Sequence, residues 1–98
     1  MPKFEWDNNK NRSNQKKHGI SFEDASDIFN DNDRIQYQET RDGEKRYKII
    51  GKAFEAIITV IYTMRDLIVR IISARRSSKD ERKAYLTNKL SKKAKDDE

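Results

Sequence analysis

The chain has 98 residues, of which 34% are hydrophobic and 40% charged, with a net charge of +5; that length fits one domain with a small core and leaves no room for a second. No stretch reaches the roughly 18 apolar residues of a membrane span, and the start Met1–Asp7 lacks the apolar segment of a signal peptide, so the chain reads as soluble and cytoplasmic. Cysteine is absent, which excludes disulfides and thiolate zinc sites and is compatible with a reducing cytosol.

Phe4-Glu5-Trp6 reads as a short opening strand. Asp7 is a good N-cap for a helix over Asn8–Lys17, which Gly19 stops. That helix contains no apolar residue, so its ends, polar contacts or a partner must hold it in place of a buried stripe. An exposed helix pinned by Trp6 and Ile20 fits this pattern, and so does a contact surface for RNA or protein. Ser21 caps a second helix over Phe22–Phe29, where Phe22, Ala25, Ile28 and Phe29 recur at helical spacing and belong to the core. Asn30–Asp33 has the superficial spacing of a calcium loop, but it lacks the required glycine and terminal glutamate and reads as a turn.

Ile35–Gln38 alternates like a strand and is followed by a polar loop from Glu39 to Glu44. Three stronger strands are predicted over Arg46–Gly51, Ala56–Thr63 and Leu67–Ala74. Their short links favour an antiparallel meander, because parallel pairing needs long crossovers. In the last strand Leu67, Val69, Ile71 and Ser73 point one way, and Ile68, Arg70 and Ile72 the other. Arg70 therefore sits either at the rim or in an ion pair. The Ser-x-x-Glu pattern of Ser78 and Glu81 starts a third helix over Lys79–Leu90, and residues 91–98 read as a charged, disordered tail. The expected fold is α+β: a small antiparallel sheet with two N-terminal helices and one C-terminal helix, forming one domain over residues 1–90.

Charge is segregated along the chain. Residues 20–44 carry eight acids against Arg34 and Arg41, whereas residues 45–76 carry eight bases against Glu55 and Asp66. A basic sheet half suits nucleic acid. Arg70-Ile71-Ile72-Ser73-Ala74-Arg75-Arg76 drives a strand into two adjacent arginines at a strand-to-helix junction. Guanidinium groups beside a helix N-terminus can engage phosphate by charge and bidentate hydrogen bonds; a solvated arginine pair is the alternative. His18 is the only histidine, so a transition-metal site lacks a second imidazole or thiolate. There is no nucleophile elbow, and Gly19, Gly43 and Gly51 lack phosphate-loop spacing.

Cleavage of RNA needs none of these devices, because the substrate supplies its own nucleophile in the 2′-hydroxyl. The protein then provides a base, an acid and cations that stabilise charge on the phosphorane oxygens. Candidates are His18, since imidazoles as a class titrate near neutrality; Glu44, two residues from Arg46; and Arg46, Arg65, Arg75 and Arg76. Plain structural roles also fit: His18 beside a helix C-terminus, and Glu44 with Arg46 as a surface pair.

Phe4-Glu5-Trp6-Asp7, Lys10-Asn11, Lys16-Lys17-His18-Gly19-Ile20-Ser21-Phe22-Glu23, Glu44-Lys45-Arg46, Tyr62-Thr63, Arg70 to Arg76, Glu81-Arg82 and Tyr85 share their order and spacing with a known family. Over about residues 3–86 the chain resembles the BrnT family of bacterial ribonuclease toxins. The resemblance implies a RelE-like fold and an RNA-cleaving activity that inhibits translation, without a cofactor. It implies a BrnA-type antitoxin in a complex of two toxins and two antitoxins, with operator DNA contacted through the antitoxin. The catalytic set it implies is Lys17, His18, Glu44, Arg46, Arg65, Arg75 and Arg76, with Lys16, Tyr62, Arg70 and Tyr85 as substrate contacts and no metal ligand. A non-catalytic nucleic-acid-binding module and a protein-interaction module are the alternative readings.

Overall fold

Asp7 opens the first helix as its side chain predicts, accepting hydrogen bonds from the N–H groups of Asn9 and Lys10 at 2.8 and 3.0 Å. In the computed structural model, which describes residues 2–96, strand β1 (Lys3–Glu5) leads into helix α1 (Asn8–His18). Gly19 ends α1 in the left-handed region at φ 71, where a side chain would be strained. Ser21 caps α2 (Phe22–Ala25) by accepting from the Asp24 N–H at 3.1 Å.

The single helix expected over Phe22–Phe29 is instead one α-turn that tightens into a 3₁₀ turn, Ser26–Asn30. Packing explains the change. Ile28 is fully buried and presses on strand β3 (Glu44–Ala53), where a Cβ on Gly51 would lie 2.6 Å from an Ile28 side-chain carbon. Only glycine permits this approach.

Strands β2 (Ile35–Arg41), β3, β4 (Ala56–Arg65) and β5 (Ile68–Arg76) form the expected antiparallel meander. The predicted loop Glu39–Glu44 is replaced by a tight hairpin, whose turn Asp42-Gly43 has φ 53 and 78. Paired positive φ values match the twist of the flanking strands, so the ladder continues to the turn. Phe54-Glu55 repeats the device at φ 35 and 49.

The sheet order is β1-β5-β4-β3-β2, and β1 runs parallel to β5. The sheet is therefore mixed, which corrects the wholly antiparallel expectation. Everything from α1 to β4 intervenes between β1 and β5, far more chain than a parallel pairing requires.

Pairing with β1 stops at Arg70, and α1 completes the edge of β5 by a different means. The Asn14 carboxamide donates to the Ala74 carbonyl at 2.8 Å and accepts from the Ala74 N–H at 3.2 Å, imitating a neighbouring peptide group. It also donates to the Ile20 carbonyl at 3.0 Å. One turn earlier, Asn11 accepts from the Phe22 N–H and donates to Glu23, both at 2.8 Å. Two asparagines at helical spacing thus dock a helix that has no apolar stripe.

The main core lies under α1 and α2, where Ile20, Phe22, Ala25 and Ile28 meet Ile49, Ile58, Val60, Val69, Ile71 and Ala74 of the sheet. On the opposite face α3 (Lys79–Asp96) is anchored by Tyr85, which is 1% exposed. Its hydroxyl donates to Asp31 Oδ2 at 2.6 Å, and the Lys52 N–H donates to the same oxygen at 2.7 Å. Burial acts to raise the Asp31 pKa, but these donors outweigh it and the net shift is downward. Burial, then the Asp31 carboxylate, pushes the Tyr85 hydroxyl up.

Residues 91–96, expected to be disordered, continue α3. Lys92 holds this stretch by donating to the Asn32 carbonyl at 2.7 Å and approaching Asp33 at 3.6 Å. The remainder of the predicted tail, residues 97–98, lies outside the described residues.

Replacing Asn14 by Asp keeps its shape but removes the donor to two buried carbonyls. Urea denaturation of Asn14→Asp is expected to show a loss of at least about 2 kcal/mol, the scale for unsatisfied buried polar groups.

Candidate nucleic-acid interface

Cross-strand partners project to the same side of a sheet, so the register sorts the charged side chains. On the side opposite α1 and α2, the row nearest α3 contains Ile35, Ile50, Thr59 and Arg75; the next contains Tyr37, Lys48, Ile61 and Ser73. Farther out, Glu39 pairs with Arg46 and Thr63 with Arg70, then Arg41 with Glu44 and Arg65 with Ile68. Arg46, Arg65, Arg70, Arg75 and Glu44 therefore share one face. Lys48, a residue that the sequence reading did not single out, stands among them.

A bulge determines this grouping. The β4–β5 register shifts so that Tyr62 pairs with Ile71 while Ile61 pairs with Ser73, leaving Ile72 without a partner. Strict alternation places Ser73 on the side of Val69 and Ile71; the extra residue moves it to the opposite side, together with Arg75. Arg76 pairs with Ile58, a core residue, so the two adjacent arginines project to opposite sides and do not form one clamp.

Glu81, near the start of α3, organises the cations. It receives the Arg75 guanidinium as a fork, Nη1 to Oε1 at 2.6 Å and Nη2 to Oε2 at 2.9 Å. Thr59 donates to it at 3.1 Å, the Ser78 N–H donates at 2.8 Å, and the Lys48 ammonium lies 3.4 Å away. The Ser78 hydroxyl in turn accepts from the Glu81 N–H at 3.2 Å, completing the capping box that the Ser-x-x-Glu pattern predicts. Hydrogen bonds from Arg75 are the chief reason that the Glu81 carboxyl is held well below the usual range, despite partial burial. Arg75 is pushed up by the same pair, yet 40% of its side chain remains exposed.

Of the two places that its position among isoleucines allows, rim or ion pair, Arg70 has the pair, 3.4 Å from Glu5. Arg46 differs from both: its Nε is buried and, among the described residues, has no hydrogen-bond acceptor.

Lys17 and His18 lie off this face, at the edge of β5. With Lys10, Ser13, Asn14, Ile72 and Ser73 they line a shallow pocket of about 310 Å³. Ser73 belongs to both places, so the pocket adjoins the end of the Tyr37–Lys48–Ile61–Ser73 row. Lys16 lines a separate groove on α1 with Arg12, Ser13 and Gln15. Tyr62 is 5% exposed; its ring stacks on Tyr47 at 5.1 Å and its hydroxyl donates to Gln36 at 2.7 Å. Burial pushes the Tyr62 hydroxyl up. Tyr62 and Tyr85 are thus packing groups whose hydroxyls are already engaged.

The residues missed in the sequence left unequal traces. Lys48 follows Arg46 by two positions, so strand alternation alone places them together. Glu81 is visible as a capping residue, but its contacts with β3, β4 and β5 are long-range. Asn14 leaves no local sign, because its partner Ala74 lies 60 residues away.

A small α+β protein with a mixed five-stranded sheet and a cationic sheet face is the class that these features define. Residues 6–81 match the family model described as the ribonuclease toxin, BrnT, of a type II toxin-antitoxin system, and the chain belongs to that family. Membership implies an RNA substrate and an antitoxin partner. No curated protein matches the chain. Among the described residues, no helix is long and apolar enough to cross a membrane.

Because the folded Glu81 pKa is depressed, its stabilising contribution is present above the ordinary value of 4.5 and is lost as pH falls below it. Glu81→Gln is expected to cost about 2 kcal/mol near neutral pH and to flatten the acid limb of stability against pH. Denaturant titrations across that limb measure both effects.

Proposed function

We propose that the protein is a metal-independent endoribonuclease toxin that inhibits translation, and that the cationic sheet face receives the scissile phosphate. The observation that supports this reading most directly is the placement of Arg46, Lys48, Arg65, Arg70 and Arg75 on one face. In the proposed reaction the RNA 2′-oxygen attacks the adjacent phosphorus, the bond to the 5′-oxygen breaks, and a 2′,3′-cyclic phosphate and a 5′-hydroxyl result. A base takes the 2′-hydroxyl proton and an acid protonates the departing 5′-oxygen.

Arg46 and Arg75 stabilise the phosphorane oxygens in this scheme. Arg46 brings a cation on the same face whose buried Nε has no acceptor among the described residues, whereas Arg75 brings a guanidinium oriented by Glu81. Fixed donors of this kind need no reorganisation as charge develops. Glu81 is a poor proton acceptor, since its carboxyl is held so low. Proton transfer at a given phosphate falls instead to Glu44, on the face, or to His18, with Lys17, in the adjoining pocket. Arg65, Arg70 and Lys16 guide flanking phosphates, and Arg76 adds to the field from the other side. Tyr62 and Tyr85 support the site through packing. The partner in this reading is a BrnA-type antitoxin that covers the toxin, two copies of each, and contacts operator DNA; the compartment is the cytoplasm.

Incubation with single-stranded RNA in excess chelator tests the reaction, with end-group analysis for cyclic phosphate and 5′-hydroxyl. Arg46→Ala and Arg75→Ala are each expected to lower the cleavage rate by about 100-fold or more, the scale for loss of one oxyanion donor, with the circular dichroism of the fold retained. Full activity in both variants overturns the site assignment. Binding without cleavage by the unaltered protein favours a binding module, whose affinity falls with salt at a log–log slope of about −0.7 per phosphate neutralised.

A further inference from the structure

The cationic face has an aromatic residue at its border that the cleavage scheme does not use. Tyr37 stands on β2, the edge strand of the sheet, directly opposite Lys48, and is 46% exposed. The contrast with Tyr62 and Tyr85, at 5% and 1% exposure, is clear. Tyr47, also less exposed than Tyr37, is stacked on Tyr62. Tyr37 alone among the four tyrosines presents a substantial part of its ring to solvent.

Its surroundings suit a nucleotide. The Lys48 ammonium lies 5.3 Å from the centre of the Tyr37 ring and 3.4 Å from Glu81, which in turn holds Arg75. Tyr37, Lys48, Glu81 and Arg75 are therefore consecutive in space. Neighbouring strands are about 4.8 Å apart, so a phosphate over Lys48 and Arg46 places the base of the same or the next nucleotide within reach of Tyr37. Aromatic rings bordering a positive groove bind single strands by stacking on the faces of unpaired bases, with little dependence on base identity.

We infer that Tyr37 and the adjoining Lys48 form a base subsite, in which an unpaired nucleobase stacks on the exposed Tyr37 ring while its phosphate lies toward the arginines. This inference rests on the proposed ribonuclease reading and deepens it: the substrate is a single strand, because a base held in a duplex has no free face to offer. Tyr37 supplies affinity and positioning and takes no part in proton transfer.

The test uses fluorescence anisotropy with a mixed-sequence single-stranded oligonucleotide carrying 2′-O-methyl groups, which lacks the nucleophile for cleavage, and an abasic strand of equal length and charge. The unaltered protein is expected to bind the base-bearing strand at least about 5-fold more tightly than the abasic one, the lower end of the range for one stacked base. Tyr37→Phe should retain that preference; Tyr37→Leu, which keeps an apolar side chain without a π face, should lose it. The salt dependence should remain unchanged in both variants, because the phosphate contacts persist. Equal preference for the base-bearing strand in Tyr37→Leu and the unaltered protein overturns the inference, as does absence of any preference in the unaltered protein. If ordinary RNA is cleaved but no base preference exists, only the subsite falls. If the preference exists but ordinary RNA is not cleaved, the subsite stands and the ribonuclease reading falls.

Discussion

The carboxylate of Glu81 accepts from Arg75, Thr59 and the Ser78 N–H and lies beside Lys48, so one side chain joins the start of α3 to three strands. Few groups can do this. A carboxylate offers several lone-pair positions, and each donor here comes from a different element. Partial burial raises the cost of leaving any of them unpaired. The same contacts that start the helix also hold the Arg75 fork in one orientation, which makes helix capping and charge placement a single constraint. The depressed carboxyl pKa is the thermodynamic expression of that constraint.

The other side of the sheet is organised around a different problem. A helix composed only of polar residues has to be attached without apolar burial, and Asn14 solves this by replacing the strand that β5 lacks beyond Arg70. Its amide matches the backbone group it faces in both donor and acceptor, leaving that part of the edge satisfied. With α1 held there, Ile20, Phe22, Ala25 and Ile28 complete the core. Segregating the apolar packing beneath α1 and α2 frees much of the opposite face for charge. Cations accumulate on that face because little apolar burial is required of it.

The cations of this face are paired to different degrees. Arg70 and Arg75 have carboxylate partners, Glu5 and Glu81, whereas the buried Nε of Arg46 has none among the described residues. A cation paired within the fold is oriented but partly neutralised; one without a partner retains its capacity to bind an anion. In the proposed scheme Arg75 serves orientation more, and Arg46 serves capture more. The proposed division of labour around a phosphate follows from this difference, and Tyr37 adds an apolar, polarisable ring at the border of the same field.

Much of the framework was legible in local sequence because short-range rules govern it. Asp7, Gly19, Ser21 and the Ser78–Glu81 box marked the helix ends through their own backbone preferences, and β-branched runs marked the core strands. Local rules were less informative where compensation came from afar. They missed the hairpin at Asp42-Gly43, assigned a full helix where Ile28 needed a 3₁₀ turn, and left α1 without a visible anchor. The charged face was legible only as an excess of bases between residues 45 and 76, since alternation cannot anticipate an unpaired residue such as Ile72. That bulge, visible only once β4 and β5 are aligned, turned Arg75 toward Arg46 and sent Arg76 to the other side. By itself the sequence determined the kinds of element and the sign of the charge, because these depend on neighbours along the chain. Only the tertiary structure decided which charges act together, because one extra residue in a strand reverses the side to which every later side chain points.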